Sequence, residues 1–123
     1  MKVVIEDDRS LRMLQVLLDP ATDPVRRAAF GDYIQHDVSL EAATEMLVKS
    51  APSLFPATVV SVCNQAQLLA ALPDADVLIA ESLDAGQAEL GAAVKLRAIV
   101  RFGVATDGID VGLCRSRGIA VIT

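Results

Sequence analysis

Five short aliphatic runs recur along the chain: Val3–Ile5, Thr58–Cys63, Asp76–Ala80, Ala98–Phe102 and Ala120–Thr123. A helical pattern stands between each run and the next. Such short, almost wholly apolar runs predict strands buried on both faces. Strand alternating with helix predicts parallel strands joined by crossovers, hence an open α/β sheet with helices on both faces. The composition agrees, since 53% of the 123 residues are hydrophobic but only 3% aromatic, which makes the core one of Val, Leu, Ile and Ala. In sheets of this kind ligands bind beyond the carboxyl ends of the strands, so the loops after Ile5, Cys63, Ala80 and Phe102 carry the functional information.

The helical segments are Ser10–Leu18, Gln65–Leu72 with Asn64 as N-cap, Gln87–Val94, and Asp110–Arg117, stopped by Gly118. More than fifty residues separate the first two strands, where a crossover needs roughly 10–12 or somewhat more. Two further helices, Pro24–Tyr33 and Ser39–Ser50 with Ser39 as N-cap, are expected in that interval. Residues 20–57 therefore read as a helical insertion in a single domain of residues 1–123.

A net charge of −5, with 11 Lys and Arg dispersed along the chain, argues against a nucleic-acid partner. No apolar stretch approaches the roughly 18 residues of a membrane span, and no secretory leader pattern opens the chain. Cys63 and Cys114 lack metal-ligand spacing and read as reduced thiols packed as small hydrophobes, which places the domain in the cytoplasm. The single histidine, His36, has no neighbouring nucleophile or acid and reads as a surface or partly packed residue.

"VVIEDD" (Val3–Asp8) resembles the start of a bacterial receiver domain, in which acids after the first strand hold Mg²⁺ and a later Asp is phosphorylated. The rest of the chain does not follow. Glu81 stands where the phosphoacceptor Asp would be, the spacing is too long, and no lysine follows Lys95. Glu6, Asp7 and Asp8 then read as acids at a strand end and at the start of a helix, whose dipole they favour. They lie at the ligand edge of the sheet without the partners of a metal site.

The last third is more specific. In "LRAIVRFGVATDGIDVGLCRSRGIAVIT" (Leu96–Thr123), nine residues fall in register with one motif: Gly103, Val104, Asp107, Ile109, Asp110, Arg117, Gly118, Ile119 and Val121. The motif is a strand, a Gly-Val-Gly-x-Asp-x-Ile-Asp turn, a helix ending in Arg-Gly-Ile and a further strand. It resembles the end of the substrate domain of the D-isomer-specific 2-hydroxyacid dehydrogenases. "LPDADVLIAESLDAGQAEL" (Leu72–Leu90) resembles the unit that precedes it there. Together these stretches cover about fifty residues. Apart from any resemblance, Gly103 permits a close backbone approach, Asp110 caps a helix and Ile109 staples that turn into the core.

The resemblance implies a flavodoxin-like fold and hydride transfer between NAD or NADP and the carbonyl or hydroxyl carbon of a small 2-keto or 2-hydroxy acid. It implies that backbone amides in the loop of Glu81, Ser82 and Leu83 grip the substrate carboxylate. Phe102, Gly103, Val104 and Ala105 would form the opposite wall, with Asp107 supporting it. Arg101 is expected to position the turn; a carboxylate clamp is the alternative.

Two departures matter. Ala105 replaces the second motif glycine, and Glu81 stands where relatives acting on phosphorylated acids tend to carry Arg, which disfavours a 3-phosphoglycerate-type substrate. No Gly-x-Gly-x-x-Gly turn occurs, and the family's catalytic Arg, Glu and His would lie beyond Thr123. The isolated chain is thus expected to be an inactive fragment that binds no NAD tightly and leaves an apolar sheet face free to pair in a homo-oligomer. The competing reading is a stand-alone, non-catalytic binding or dimerisation module of the same fold; a degenerate receiver is more remote.

Overall fold

A computed structural model describes residues 1–19, 23–34, 39–103 and 105–123, so the readings made for His36 and Val104 lie outside the described residues. Among the described residues five strands, β1 (Lys2–Glu6), β2 (Thr58–Val62), β3 (Val77–Ala80), β4 (Ala98–Arg101) and β5 (Ala120–Ile122), pair in parallel. Their order is β2-β1-β3-β4-β5, the flavodoxin-like arrangement. The chain reverses its direction of winding between β1 and β3, and the crevice beyond their carboxyl ends is where such folds bind ligands.

Among the described residues six α-helices connect the strands: α1 (Arg12–Leu18), α2 (Pro24–Ile34), α3 (Leu40–Ser50), α4 (Gln65–Ala71), α5 (Gln87–Ala92) and α6 (Val111–Ser116). The two helices expected in the long interval after β1 are α2 and α3. The expected caps form. The side chains of Ser39, Asn64 and Asp110 accept from the N–H groups of Ala42, Gln67 and Leu113, which satisfies donors that the first helical turn leaves free. Gly118, at φ +71°, ends α6 and turns the chain into β5.

Alternate residues of each strand point to opposite faces. Val4, Leu78, Ala80 and Ile99 pack on one face with Leu68 of α4, Leu90 of α5 and Cys114 of α6. Val3, Ile5, Val59 and Ile79 pack on the other with Leu11, Leu18 of α1 and Leu47 of α3. This second layer is uneven: Val100 of β4 is only partly buried and Ile122 of β5 is exposed. No described helix is long and apolar enough to cross a membrane.

Three expectations need correction. β1 runs one residue further than expected, so Glu6 is a strand residue on the Val4 face and is buried. The acids do not serve the dipole of α1: its first turn contains none, and Leu11 precedes it without a side-chain cap. Cys63 is not packed as a hydrophobe. It is exposed, while Cys114 is buried, and burial pushes the Cys114 thiol above its ordinary value.

Candidate functional site

The loop that follows β3 is built on hydrogen bonds from four directions. From β1, the Glu6 carboxylate accepts three consecutive backbone N–H groups on one oxygen: Glu81 at 2.7 Å, Ser82 at 2.8 Å and Leu83 at 3.1 Å. Its other oxygen accepts the Ser82 hydroxyl. From β4, the Arg101 guanidinium donates to the carbonyls of Glu81 at 2.5 Å and Leu83 at 2.8 Å. From α4, the Gln65 side-chain amide donates to the Asp84 carbonyl at 2.7 Å and accepts the Asp84 N–H at 3.1 Å. From the loop after β4, Ala85 donates to the Gly108 carbonyl at 2.9 Å, and Asp110 donates to the Ala85 carbonyl at 3.0 Å.

The last pair forms a parallel bridge between Ala85 and Ile109 that joins the loops after β3 and β4. Gly108 makes it possible. Its φ is +81°, a left-handed conformation that a residue with a Cβ adopts only under strain, and Asp84 occupies the space a Cβ would need. Gly103, at φ +101°, turns the chain out of β4 where glycine was expected to be needed, and the space beside it is open.

A buried carboxylate or guanidinium is costly unless paired and hydrogen-bonded. Here the two charges meet through a peptide group. The Glu81 carbonyl faces Arg101, and the N–H at the other end of the same peptide bond, that of Ser82, faces Glu6. Burial pushes the Glu6 carboxyl upward, but the Ser82 hydroxyl and the backbone N–H groups of Ser82, Leu83 and Glu81 outweigh it and hold Glu6 below its ordinary value. Arg101 is 4% exposed, which leaves the clamp reading without a free guanidinium; it positions the turn, and its Nε is buried with no partner among the described residues.

The rim of the site is acidic. The Asp8 carboxylate beside Glu81 raises the Glu81 carboxyl above its ordinary value, with Glu6 adding a smaller repulsion, and Asp8 is correspondingly lowered. Asp7 turns away to Arg12 at 3.0 Å and Arg26 at 3.6 Å; the Arg12 hydrogen bond leads in lowering it. Among the described residues no group of three or more His, Cys, Asp or Glu is placed to hold a metal ion.

Against this geometry the expected site residues divide. Glu81 and Ser82 are exposed, but the amides of Glu81, Ser82 and Leu83 already grip a carboxylate, the chain's own Glu6. The Leu83 side chain packs against the core. Phe102, Gly103, Ala105 and Asp107 are exposed in the neighbouring loop, and Phe102 is tied back to the Ala80 carbonyl at 3.0 Å. The sequence reading missed Glu6, Gln65 and Gly108. The signals available were an acid in phase with Val4 on a buried strand and the Asp107-Gly108 dipeptide, a common turn signature.

Comparisons with known proteins agree with the fold. The family model for "D-isomer specific 2-hydroxyacid dehydrogenase, catalytic domain" matches residues 16–123. The D-3-phosphoglycerate dehydrogenase of Mycobacterium leprae (strain TN) is 42% identical over 60 residues, which are 48% of this chain and 11% of that protein. That of Mycobacterium tuberculosis (strain ATCC 25618 / H37Rv) is 36% identical over 88 residues, 62% of this chain and 17% of that protein. The chain thus spans well under a fifth of these curated relatives. The structure of the NAD⁺-bound 3-phosphoglycerate dehydrogenase of Entamoeba histolytica superposes with a TM-score of 0.60 at 18% identity, over 98% of this chain and 32% of that one, and shows the shared fold. With the family model matching nearly the whole chain, this protein belongs to the D-isomer specific 2-hydroxyacid dehydrogenase family, through its catalytic domain.

Proposed function

We propose that this domain supplies the substrate-binding half of the active site in an NAD- or NADP-dependent D-2-hydroxyacid dehydrogenase. The observation that carries the reading is the joining of the loops after β3 and β4 at the carboxyl edge of the sheet, within a chain that matches the family's catalytic domain. In this proposal Glu81, Ser82 and Leu83 form one wall of the substrate cleft. Phe102, Gly103 and Ala105 form the other, supported by Asp107. The coenzyme would supply or accept a hydride at the substrate's C2. No Gly-x-Gly-x-x-Gly turn occurs in residues 1–123, so we place the coenzyme site and the catalytic acid–base group outside them, with the chain inactive alone.

The acidic rim bears on the substrate. A phosphate dianion beside Glu81 and Asp8 would meet like charge, a penalty that is smaller for an acid without a phosphate group. The reading therefore keeps the family's reaction but favours a substrate without a phosphate, although the relatives named above are D-3-phosphoglycerate dehydrogenases. The test is NAD(P)H oxidation by the complete protein that carries this domain, offered glyoxylate, pyruvate, hydroxypyruvate, 2-ketoglutarate and phosphohydroxypyruvate. Oxidation with one or more of the unphosphorylated acids supports the proposal. Oxidation with none of the panel refutes it and favours the non-catalytic module; a preference for phosphohydroxypyruvate refutes the role given to Glu81.

A further inference from the structure

The amides of Glu81, Ser82 and Leu83 converge on a single point at the crevice between β1 and β3, and a side chain from 75 residues earlier in the chain fills that point. We infer that these three amides and the Ser82 hydroxyl are a built monocarboxylate-binding site whose resident ligand is the tethered Glu6 side chain. One clause of this rests on the proposed function: with Glu6 in place, these amides are closed to the carboxylate of a bound hydroxy acid.

Three features mark a site for an anion rather than an incidental contact. First, three successive N–H groups meet one carboxylate oxygen, at 2.7, 2.8 and 3.1 Å, and successive amides aimed at one point form a concavity of partial positive charge. Second, the site is supported from behind. Arg101 binds the Glu81 and Leu83 carbonyls, so the Glu81–Ser82 peptide dipole lies with its positive end toward Glu6 and its negative end toward a fixed cation. Third, the shape does not depend on Glu6 alone. Gln65 holds Asp84 and Gly108 holds Ala85, so the loop remains anchored on two sides when Glu6 is removed.

Consequently, emptying the site creates a pocket for a free carboxylate of the size of the lost group, formate or acetate. In the wild type the effective concentration of the tethered carboxylate excludes such ions. Glu6 thereby occupies amides that Arg101, Gln65 and Gly108 hold in place, without touching the reacting atoms.

The experiment uses the chain of residues 1–123, isotopically labelled, in wild-type, Glu6→Ala and Glu6→Gln forms. In Glu6→Ala, formate and acetate are expected to shift the amide signals of Ser82 and Leu83 saturably and to raise the melting temperature. Chloride at equal ionic strength is expected to do neither. Equal responses to chloride, or no carboxylate response at all in a folded Glu6→Ala, overturn the inference. Should Glu6→Ala fail to fold, the wild type decides alone: the Ser82 and Leu83 amide protons must titrate with the Glu6 carboxyl carbon at one midpoint, and independent midpoints refute the site. Glu6→Gln, isosteric but neutral, must abolish that shared titration. Wild type titrated with glycolate or D-lactate must leave the Ser82 and Leu83 amides fixed. Movement of Ser82 and Leu83 overturns the exclusion clause. None of these readouts involves turnover, so an inactive complete enzyme would refute the proposed function and leave the carboxylate site standing.

Discussion

Replacing Gly108 by alanine tests how the two loops are joined. At φ +81° an alanine takes the left-handed conformation at a cost of about 1–2 kcal/mol. Its Cβ would also stand 3.1 Å from the Asp84 Cγ and well inside contact with the carboxylate oxygen. The Asp84 side chain must rotate away, and an off-rotamer χ costs about 0.5–1.5 kcal/mol. Together the loss is about 1.5–3.5 kcal/mol, read as a lower urea midpoint at unchanged slope. Gly118→Ala is the matched control, because its φ is +71° and the space around it is open, so only the backbone cost applies. In an Asp84→Ala background the excess of Gly108→Ala over Gly118→Ala should vanish, since no carboxylate remains to be displaced. If Gly108→Ala costs no more than Gly118→Ala in the wild-type background, the close packing of the two loops is wrong.

Two carboxylates at the site carry opposite pH signatures. Glu6 is held below its ordinary value of 4.5, so its contribution to stability is present above 4.5 and is lost as pH falls below it; Glu6→Gln should flatten that limb of the stability–pH curve. Glu81 is raised above 4.5, so its ionisation opposes folding as pH rises from 4.5 through the raised value; Glu81→Gln should be more stable than wild type at neutral pH, with the gain absent in acid. Thiol titration should find Cys63 reactive in the native protein, while the buried Cys114, with its raised thiol, should react only on unfolding. Asp110→Ala should cost about 1 kcal/mol in denaturant unfolding, since it leaves the Leu113 N–H at the start of α6 without its cap.

What could be read in the sequence was mostly local. The apolar runs give the strands to within a residue or two because burial on both faces demands them. Ser39, Asn64 and Asp110 act as caps because an N-cap answers to donors only two or three residues away. Arg101 as a turn-positioning residue was also legible, from its place in a motif that describes the fold. Glu6 was not. Its partners lie 75 to 77 residues further on, and although its phase with Val4 marks a buried position, nothing local says which groups would receive the charge. Cys63 failed for a related reason: apolar character within a run does not say where the strand ends, and β2 stops at Val62, one residue short of it.

The bridge between Ala85 and Ile109 bears on how such a cleft can change its preference. Ordering a backbone residue costs about 1–2 kcal/mol, and under the proposed function that entropy is lost when the chain folds rather than each time an acid binds. The bridge ties the two loops together, so under the proposed function a narrower or wider opening comes from side chains set on that frame. Selection between acids that differ by one methylene then rests on fit alone, which discriminates by roughly 10–200-fold. A shift in substrate range along this family line would therefore appear as single exchanges at positions such as Glu81 or Phe102, with Ala85, Gly108 and Ile109 left in place.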